Sequence, residues 1–375
     1  MEMTVKKGVF THFSGKLIII YPMKTAIVIL AGGNGTRLWP VSRDKKPKQF
    51  HSIIDSKSLI RNVFERYLTQ YKVDDIFIST NLQLLDLVRQ ELPEVLLTNY
   101  IIEPVKRDRT AAFGLISLNL QEKGYETVLI GACDEYIGNP EEYLRVLKLA
   151  EEINAEHPNQ LLQVGMNPTF ASIAYGYIEM GEPVARFGKD IVFSVASFKE
   201  KPDLKTAEKF INDWRYLWNS GWFIFNPDFM VNTYEKLAPE TLEILRNCYK
   251  MPVESKEFET EYSKCAAEAF DIAIVEKMEN KLVLPASVGW SDIGSWKGVK
   301  DILSGLNPDS NVFQGDVSAI DSCGNLVVSK TKRKIALIGL KNIAIIDTED
   351  CLFVSDLNLS ENLKSVLKDI DDKYK

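Results

Sequence analysis

Apolar residues in this chain follow two rhythms. Short unbroken runs recur at 25–30, 76–78, 100–102, 127–130 and 161–164, the length expected of strands buried on both faces. Between them the apolar positions take helical spacing. In 56–68, Leu59, Ile60, Val63, Phe64, Tyr67 and Leu68 recur at i, i+1, i+4, i+5, i+8 and i+9, which is one face of a helix. Further helices are predicted over about 82–92, 110–122 and 141–155, the second following Pro104 and the last opening at Pro140. Strand–helix alternation with short connections specifies βαβ units. The predicted class is α/β: a Rossmann-like mixed, mostly parallel sheet with helices on both faces. Ligands of such sheets bind beyond the carboxyl ends of the strands.

The pattern changes at both ends. Residues 1–22 stand apart from the alternating region, and Met23-Lys24 opens directly into the first strand, so 1–22 reads as an N-terminal extension or an upstream translation start. The stretch 166–300 is less regular, rich in aromatics and punctuated by Gly and Pro. Beyond about 305, apolar runs at 324–329, 335–340, 343–347 and 351–354 are broken by Gly, Asn and Asp and predict a small β-rich, β-helix-like unit. Leu363, Val366, Leu367 and Ile370 predict a closing amphipathic helix. The expected organisation is therefore an extension (1–22), a main domain (23–304) and a C-terminal β-rich domain ending in a helix (305–375).

Composition narrows the function classes. The 375 residues carry 45 Lys+Arg against 52 Asp+Glu, a formal charge of −7, which argues against a nucleic-acid binder relying on a net basic field. Five scattered cysteines without a C-x-x-C pair fit a reducing compartment rather than a disulfide framework. With only three histidines, chemistry needing several imidazoles is disfavoured. The run Leu17–Tyr21 is shorter than the roughly 7–15 apolar residues of a signal core or the ~20 of a membrane span, so a cytoplasmic protein without a membrane partner is expected.

The first strand leads into Leu30-Ala31-Gly32-Gly33-Asn34-Gly35-Thr36-Arg37. Three glycines at the carboxyl end of a strand let backbone N–H groups approach an anion closely. Arg37 can hold phosphate oxygens bidentately, and Lys48, in Pro47-Lys48-Gln49-Phe50, is a second cation able to fold over the same loop. The set suits a triphosphate. No Gly-Lys-Ser/Thr follows the glycines, so this is not a P-loop, and Leu38 stands where a dinucleotide fingerprint needs its third glycine.

Gly32-Gly33-x-Gly35-Thr36-Arg37-Leu38-x-Pro40-x-Ser42-Arg43, followed by Pro47-Lys48-Gln49-Phe50, resembles the signature of the sugar-1-phosphate nucleotidyltransferases. The Pro-Lys-Gln-Phe ending is similar to that of their mannose-1-phosphate guanylyltransferase branch. Further matches occur in family order across about 24–355: Glu103-Pro104-x-x-Arg107, Tyr175-Gly176-Tyr177-Ile178, Phe198-Lys199-Glu200-Lys201-Pro202, Trp218-Asn219-Ser220-Gly221 and Gly289-Trp290-Ser291-Asp292-Ile293-Gly294-Ser295-Trp296. The resemblance implies that a sugar-phosphate oxygen attacks the α-phosphorus of a nucleoside triphosphate in line and pyrophosphate leaves, with GTP and mannose 1-phosphate as substrates and no covalent enzyme intermediate. It implies Mg²⁺ or another divalent cation on Asp134 and Asp292, with Arg37 and Lys48 on the phosphates. Leu30, Ala31, Gly32, Gly33, Gly35, Thr36, Asn81, Glu103 and Arg107 would line the nucleotide; Gly176, Glu200, Lys201 and Asn219 would hold the sugar phosphate.

Two departures stand out. Ala132-Cys133-Asp134-Glu135 replaces the family's Pro-x-Asp-His, setting a second carboxylate where it would either bind the cation or repel phosphate. Arg107-Asp108-Arg109-Thr110-Ala111-Ala112 replaces Arg-Asn-Thr-Ala-Pro-Ala, losing an amide and adding Arg109, with base selectivity or the seating of a triphosphate the properties it would alter. Without the cupin-like domain of longer relatives, a transferase lacking isomerase activity is expected. The β-rich tail implies a homodimer or a simple cap. The alternatives are the same chemistry on another nucleotide or sugar phosphate, and a non-catalytic sugar-nucleotide sensor.

Overall fold

The computed structural model describes residues 9–13, 16–20, 24–33, 35–305 and 307–374. Much of the expected N-terminal extension lies outside them. Within it, β1 (Val9–Phe13) and β2 (Lys16–Ile20) pair as an antiparallel hairpin. The alternating region then runs β3 (Thr25–Leu30), α1 (Leu59–Leu68), β4 (Ile76–Asn81), α2 (Leu85–Glu91), β5 (Tyr100–Glu103), α3 (Asp108–Glu122), β6 (Thr127–Ala132), β7 (Tyr136–Ile137), α4 (Pro140–Glu156) and β8 (Leu161–Met166). Each strand and helix predicted there is present, within a few residues of its expected limits.

The middle holds two long strands, β9 (Tyr177–Phe187) and β10 (Asp190–Lys199), then α5 (Leu204–Ile211), β11 (Tyr216–Phe225), α6 (Pro227–Leu237), α7 (Pro239–Cys248), α8 (Lys256–Tyr262), a π-helical turn at Asp271–Val275, β12 (Lys281–Ala286), β13 (Trp290–Ser291) and α9 (Trp296–Leu303). Nine strands form one mixed, mostly parallel sheet in the order β5-β4-β3-β6-β11-β8-β12-β10-β9. β4 and β5 run parallel, as do β8 and β12; β11 and β10 run against their neighbours.

Local chemistry explains many of the boundaries. Ala26, Ile27, Val28 and Ile29 of β3 are fully buried, so both faces of the strand are covered. Ser58, Asp203, Asn226 and Ser295 cap α1, α5, α6 and α9 by accepting backbone N–H bonds at their first turns. Pro227 and Pro239 open α6 and α7, where a missing N–H costs nothing.

The C-terminal region is β-rich as expected: β14 (Val312–Gln314), β15 (Val317–Ile320), β16 (Leu326–Ser329), β17 (Ile335–Ile338), β18 (Ile343–Asp347) and β19 (Leu352–Asp356). β14, β16 and β18 stack in parallel, β15 and β17 likewise, and β19 closes the larger sheet antiparallel. The closing helix is shorter than its pattern predicts. Only α10 (Leu363–Val366) forms, followed by a 3-10 turn at Asp372–Tyr374. Asp369, Asp371 and Asp372 would sit at the negative end of a longer helix and oppose its dipole.

The chain forms two compact units. One, here the hairpin unit, comprises Met1–Val28, Arg107–Ile130 and Arg145–Ala286; the other, the glycine-loop unit, comprises Ile29–Lys106, Gly131–Leu144 and Ser287–Lys375. In the glycine-loop unit, Leu38, Val41, Ile293, Trp296 and Val299 share one core with Leu326, Val328, Ala344, Ile346 and Leu357.

Candidate active site

In the glycine-loop unit, the chain leaves β3 at Leu30 and enters Ala31-Gly32-Gly33. Ala31 is anchored to β4: its N–H donates to the Ser79 carbonyl (2.7 Å) and its carbonyl accepts from Thr80 Oγ1 (3.1 Å). A Cβ on Gly32 would lie 3.9 Å from Asn81 Nδ2, so the loop runs beside the end of β4. Asn81 in turn faces Glu103 across the parallel β4–β5 register. The glycine loop, Asn81 and Glu103 therefore share the carboxyl end of the sheet, where the fold rule places a ligand.

Gly35 has φ +55°, and a Cβ there would lie 2.6 Å from Cγ of Lys48. Glycine is needed twice over: for the left-handed backbone and for the lysine stem lying across it. Lys48 sits in a 3-10 turn (Lys48–Phe50), and its side chain is buried. Its Nζ donates to the carbonyls of Asp292 (2.7 Å) and Ile293 (3.2 Å) and pairs with Asp134 Oδ2 (3.2 Å). Arg37, in the 3-10 turn Thr36–Leu38, faces the Asp292 carboxylate at 3.6 Å. All four residues expected to be catalytic are thus one interlocked cluster of two cations and two carboxylates.

The backbone sets the spacing of those carboxylates. β7 and β13 pair antiparallel, Tyr136 opposite Ser291 and Ile137 opposite Trp290, which brings Asp134 and Asp292 to the same end of a two-stranded ladder. Asp292 Oδ1 accepts from the Gly294 N–H (3.0 Å), and a Cβ on Gly294 would lie 2.5 Å from the other carboxylate oxygen. Between them Ile293 is fully buried with φ +46°, a conformation that β-branched residues rarely adopt. Strain at that point is characteristic of functional loops.

Glu135, the departure beside Asp134, is not aimed at the carboxylate pair. It is 3% exposed; Oε2 accepts from Trp290 Nε1 (3.1 Å) and Oε1 lies 3.9 Å from the Arg66 guanidinium. Its neighbour Cys133 is buried, and burial together with the Asp134 charge pushes the thiol pKa well above its ordinary value. Such a thiol is a poor nucleophile.

Residues that motif reading left without a role also shape the loop. Gln49, fully buried, donates from Nε2 to the Gly33 carbonyl (2.9 Å). Trp296, from the second aspartate motif, donates from Nε1 to the carbonyl of Trp39 (2.9 Å), in the glycine-loop motif. Among the described residues no group of three or more His, Cys, Asp or Glu is arranged to hold a metal.

The expected sugar-phosphate residues lie in the hairpin unit, where they also converge. Register places Tyr177 opposite Lys199 on β10 and opposite Trp218 on β11, so Gly176, Glu200 and Asn219 come together at one end of three strands. Asn219 N–H donates to the Gly176 carbonyl (2.8 Å), and a Cβ on Gly176 would lie 2.6 Å from Glu200 Oε2. Lys201, with φ +43°, pairs with the carboxylate of Glu200. Arg107 precedes α3, with its Nε buried.

Two residues outside the expected set join this group. Asp271, 4% exposed at the start of the π-helical turn, accepts from Asn219 Nδ2 (3.0 Å), and Arg109 faces its other oxygen at 3.8 Å. Arg109 therefore stands beside the Asn219–Asp271 pair. Only its position as an unexpected cation pointed to it; Asp271 carried no motif signal in that reading.

The family profile described as Nucleotidyl transferase matches residues 26–307. The chain belongs to the nucleotidyl transferase family. The match contains both aspartate positions, the glycine loop and the Asn219 group. A Salmonella muenchen protein described as a mannose-1-phosphate guanylyltransferase is 34% identical over 91% of this chain and 72% of its own length. A similarly described Salmonella typhimurium protein is 32% identical over 91% of this chain and 71% of its own. A solved Thermus thermophilus structure titled as a mannose-1-phosphate geranyltransferase superposes with TM-score 0.82 at 26% identity, covering 92% of this chain and 99% of that one. This nucleotidyltransferase is accordingly an enzyme with the fold of its family. No helix among the described residues is long and apolar enough to cross a membrane.

Proposed function

We propose that the enzyme transfers GMP from GTP to α-D-mannose 1-phosphate, forming GDP-mannose and pyrophosphate. The carrying observation is the cluster of Arg37, Lys48, Asp134 and Asp292 beside the glycine loop; similarity to the two Salmonella mannose-1-phosphate guanylyltransferases supports the choice of base and sugar. A phosphate oxygen of mannose 1-phosphate attacks the α-phosphorus in line. The bond between that phosphorus and the α,β-bridging oxygen breaks, and the electron pair leaves with pyrophosphate. Two anions must be brought together and charge accumulates on the leaving group, so fixed cations are the main requirement. Arg37 and Lys48 meet it: the loop N–H groups and Arg37 hold phosphate oxygens, and Lys48, already positioned by two carbonyls, holds charge near the α-phosphate.

The donor set fits a hard divalent ion. Two carboxylates suit Mg²⁺, which completes its shell with water and substrate phosphate oxygens. Asp134 and Asp292 would hold such an ion, and each faces a cation here that could be exchanged for it. Bound, the ion would neutralise phosphate charge and act as a Lewis acid. In the other substrate's site, Glu200 and Asn219 accept and donate to sugar hydroxyls and the Gly176 backbone closes on the ring.

Incubating the purified protein with Mg²⁺, mannose 1-phosphate and an equimolar mixture of four nucleoside triphosphates tests this directly. Mass spectrometry should find GDP-mannose as the dominant sugar nucleotide, with equimolar pyrophosphate. Another nucleotide sugar would move the substrate and keep the chemistry; no sugar nucleotide under any divalent ion would overturn the proposal.

A further inference from the structure

The Asn219 amide is fixed at both ends. Its Nδ2 donates to Asp271 Oδ1 (3.0 Å) and its Oδ1 accepts from the Gly221 N–H (3.1 Å). An amide carries two hydrogens and two lone pairs, so this arrangement sets which side presents nitrogen and leaves one donor and one acceptor direction for a ligand. Without Asp271, only the Gly221 bond would oppose the 180° rotation of the amide that exchanges the two. Burying a carboxylate is costly unless it is paired and hydrogen-bonded, and burial raises the Asp271 pKa, with the Arg109 guanidinium opposing that shift. Such a residue at this place is a costly choice for packing alone.

Arg109 supplies the second half. Its side chain is 52% exposed and stands 3.8 Å from Asp271, beyond good hydrogen-bond length, so most of its five donors face elsewhere. A Cβ on Gly221 would lie 3.9 Å from its NH1, which places the guanidinium over the Trp-Asn-Ser-Gly segment. In the same group Lys201 is already tied to Glu200. Glu200, Lys201, Asp271 and Arg109 sum to zero charge, and Arg109 is the cation least committed to a carboxylate.

We propose that Asp271 is a positioning residue that orients the Asn219 amide toward the hydroxyls of the hexose, and that Arg109 binds the phosphate of the hexose 1-phosphate. This rests on the transfer reading above for the identity of the ligand, and it gives the extra arginine of the α3 start a role on the acceptor rather than on the nucleotide.

Calorimetric titration of the full chain with α-D-mannose 1-phosphate, and separately with GTP, tests it. Asp271→Ala and Asn219→Ala should each weaken the sugar phosphate about tenfold or more, as expected for losing a hydrogen bond to a charged group. Their double variant should be no weaker than the worse single one, since one residue acts through the other. Asp271→Asn keeps the acceptor and should stay within about threefold of the parent. Arg109→Ala should weaken mannose 1-phosphate about tenfold, with partial recovery in Arg109→Lys, while GTP affinity stays within about twofold in all variants. Multiplying losses in the double variant, an Asp271→Asn as weak as Asn219→Ala, or an Arg109→Ala that binds normally would each overturn the assignment. Absence of measurable hexose 1-phosphate binding by the parent would do so too. Sugar-phosphate binding that responds as stated, without any sugar nucleotide formed, would instead sink the transfer reading and leave this one standing. Should Asp271→Ala lose GTP affinity as well, the Asp271→Asn and Arg109 variants decide.

Discussion

A single missing Cβ decides how the glycine loop meets its lysine. At Gly35 a methyl group would intrude on the Lys48 stem at 2.6 Å, and the backbone there is left-handed. Gly35→Ala therefore combines a conformational cost of roughly 1–2 kcal/mol with displacement of the side chain that joins Asp134 to the Asp292 carbonyl. Turnover should fall by about tenfold or more through kcat and the KM for the triphosphate, because a displaced cation costs transition-state stabilisation. The KM for the sugar phosphate should stay unchanged; steady-state kinetics on both substrates and a melting curve check it, and equal rises in both KM values would contradict it. Motif reading found Gly35 and Lys48 because close approach of backbone to anion demands glycine and cation together. Asp271 carries no such signal, since a lone buried acid follows no spacing rule and its contact with Asn219 becomes visible only when β11 and the π-helical turn are placed side by side.

At the scale of elements, legibility followed local order. Strands β3, β4, β5, β6 and β8 and the helices between them emerged from hydrophobic period alone, because buried parallel strands are continuous apolar runs. The long β9–β10 pair was harder to read. Much of it is exposed, as in Glu182, Pro183 and Val184, and register shifts break its alternation. The two-residue strands β7 and β13 had no periodic signal at all, yet their ladder sets the aspartate pair. Main-chain bonds from Gly138 and Asn139 to the Gly289 and Val288 carbonyls extend that ladder, and a side-chain bond ties it further: the indole of Trp290 on β13 donates to Glu135, adjoining β7. Trp290→Phe keeps an aromatic ring, trims the indole and deletes the donor to a buried carboxylate; the lost bond alone costs about 1.5–3 kcal/mol. Urea denaturation should show that loss, with reduced kcat as the aspartate spacing relaxes. An unchanged midpoint and unchanged kcat would show that the ladder holds without the bond.

Across the whole molecule, the C-terminal β-rich region is bound up with the signature motifs inside the glycine-loop unit. Leu38 and Val41 follow the glycine loop, Ile293 and Trp296 flank the second aspartate, and all of them are buried in one core with Leu326, Val328, Ala344, Ile346 and Leu357. Hydrophobic pattern revealed the β-rich region but not this attachment, because a parallel coil must bury one face and its sequence does not say against what. The consequence concerns truncation. Ending the chain after Ser310 removes Leu326, Val328, Ala344, Ile346 and Leu357 together and uncovers Trp296, Ile293 and Leu38, which are fully buried. Each large apolar side chain returned to water forfeits about 1.5–3 kcal/mol, so several at once reach the roughly 5–15 kcal/mol that typically holds a domain folded. Such a truncation should aggregate or lose its cooperative melt, and its turnover with it. The full-length Ile346→Ala variant should lose about 2–5 kcal/mol and melt earlier while keeping its KM values. A soluble truncated chain with a sharp melt and kcat within about twofold of the parent would mean that the motifs hold their geometry without that core. The Asp134–Lys48–Asp292 linkage would then have to be sufficient by itself.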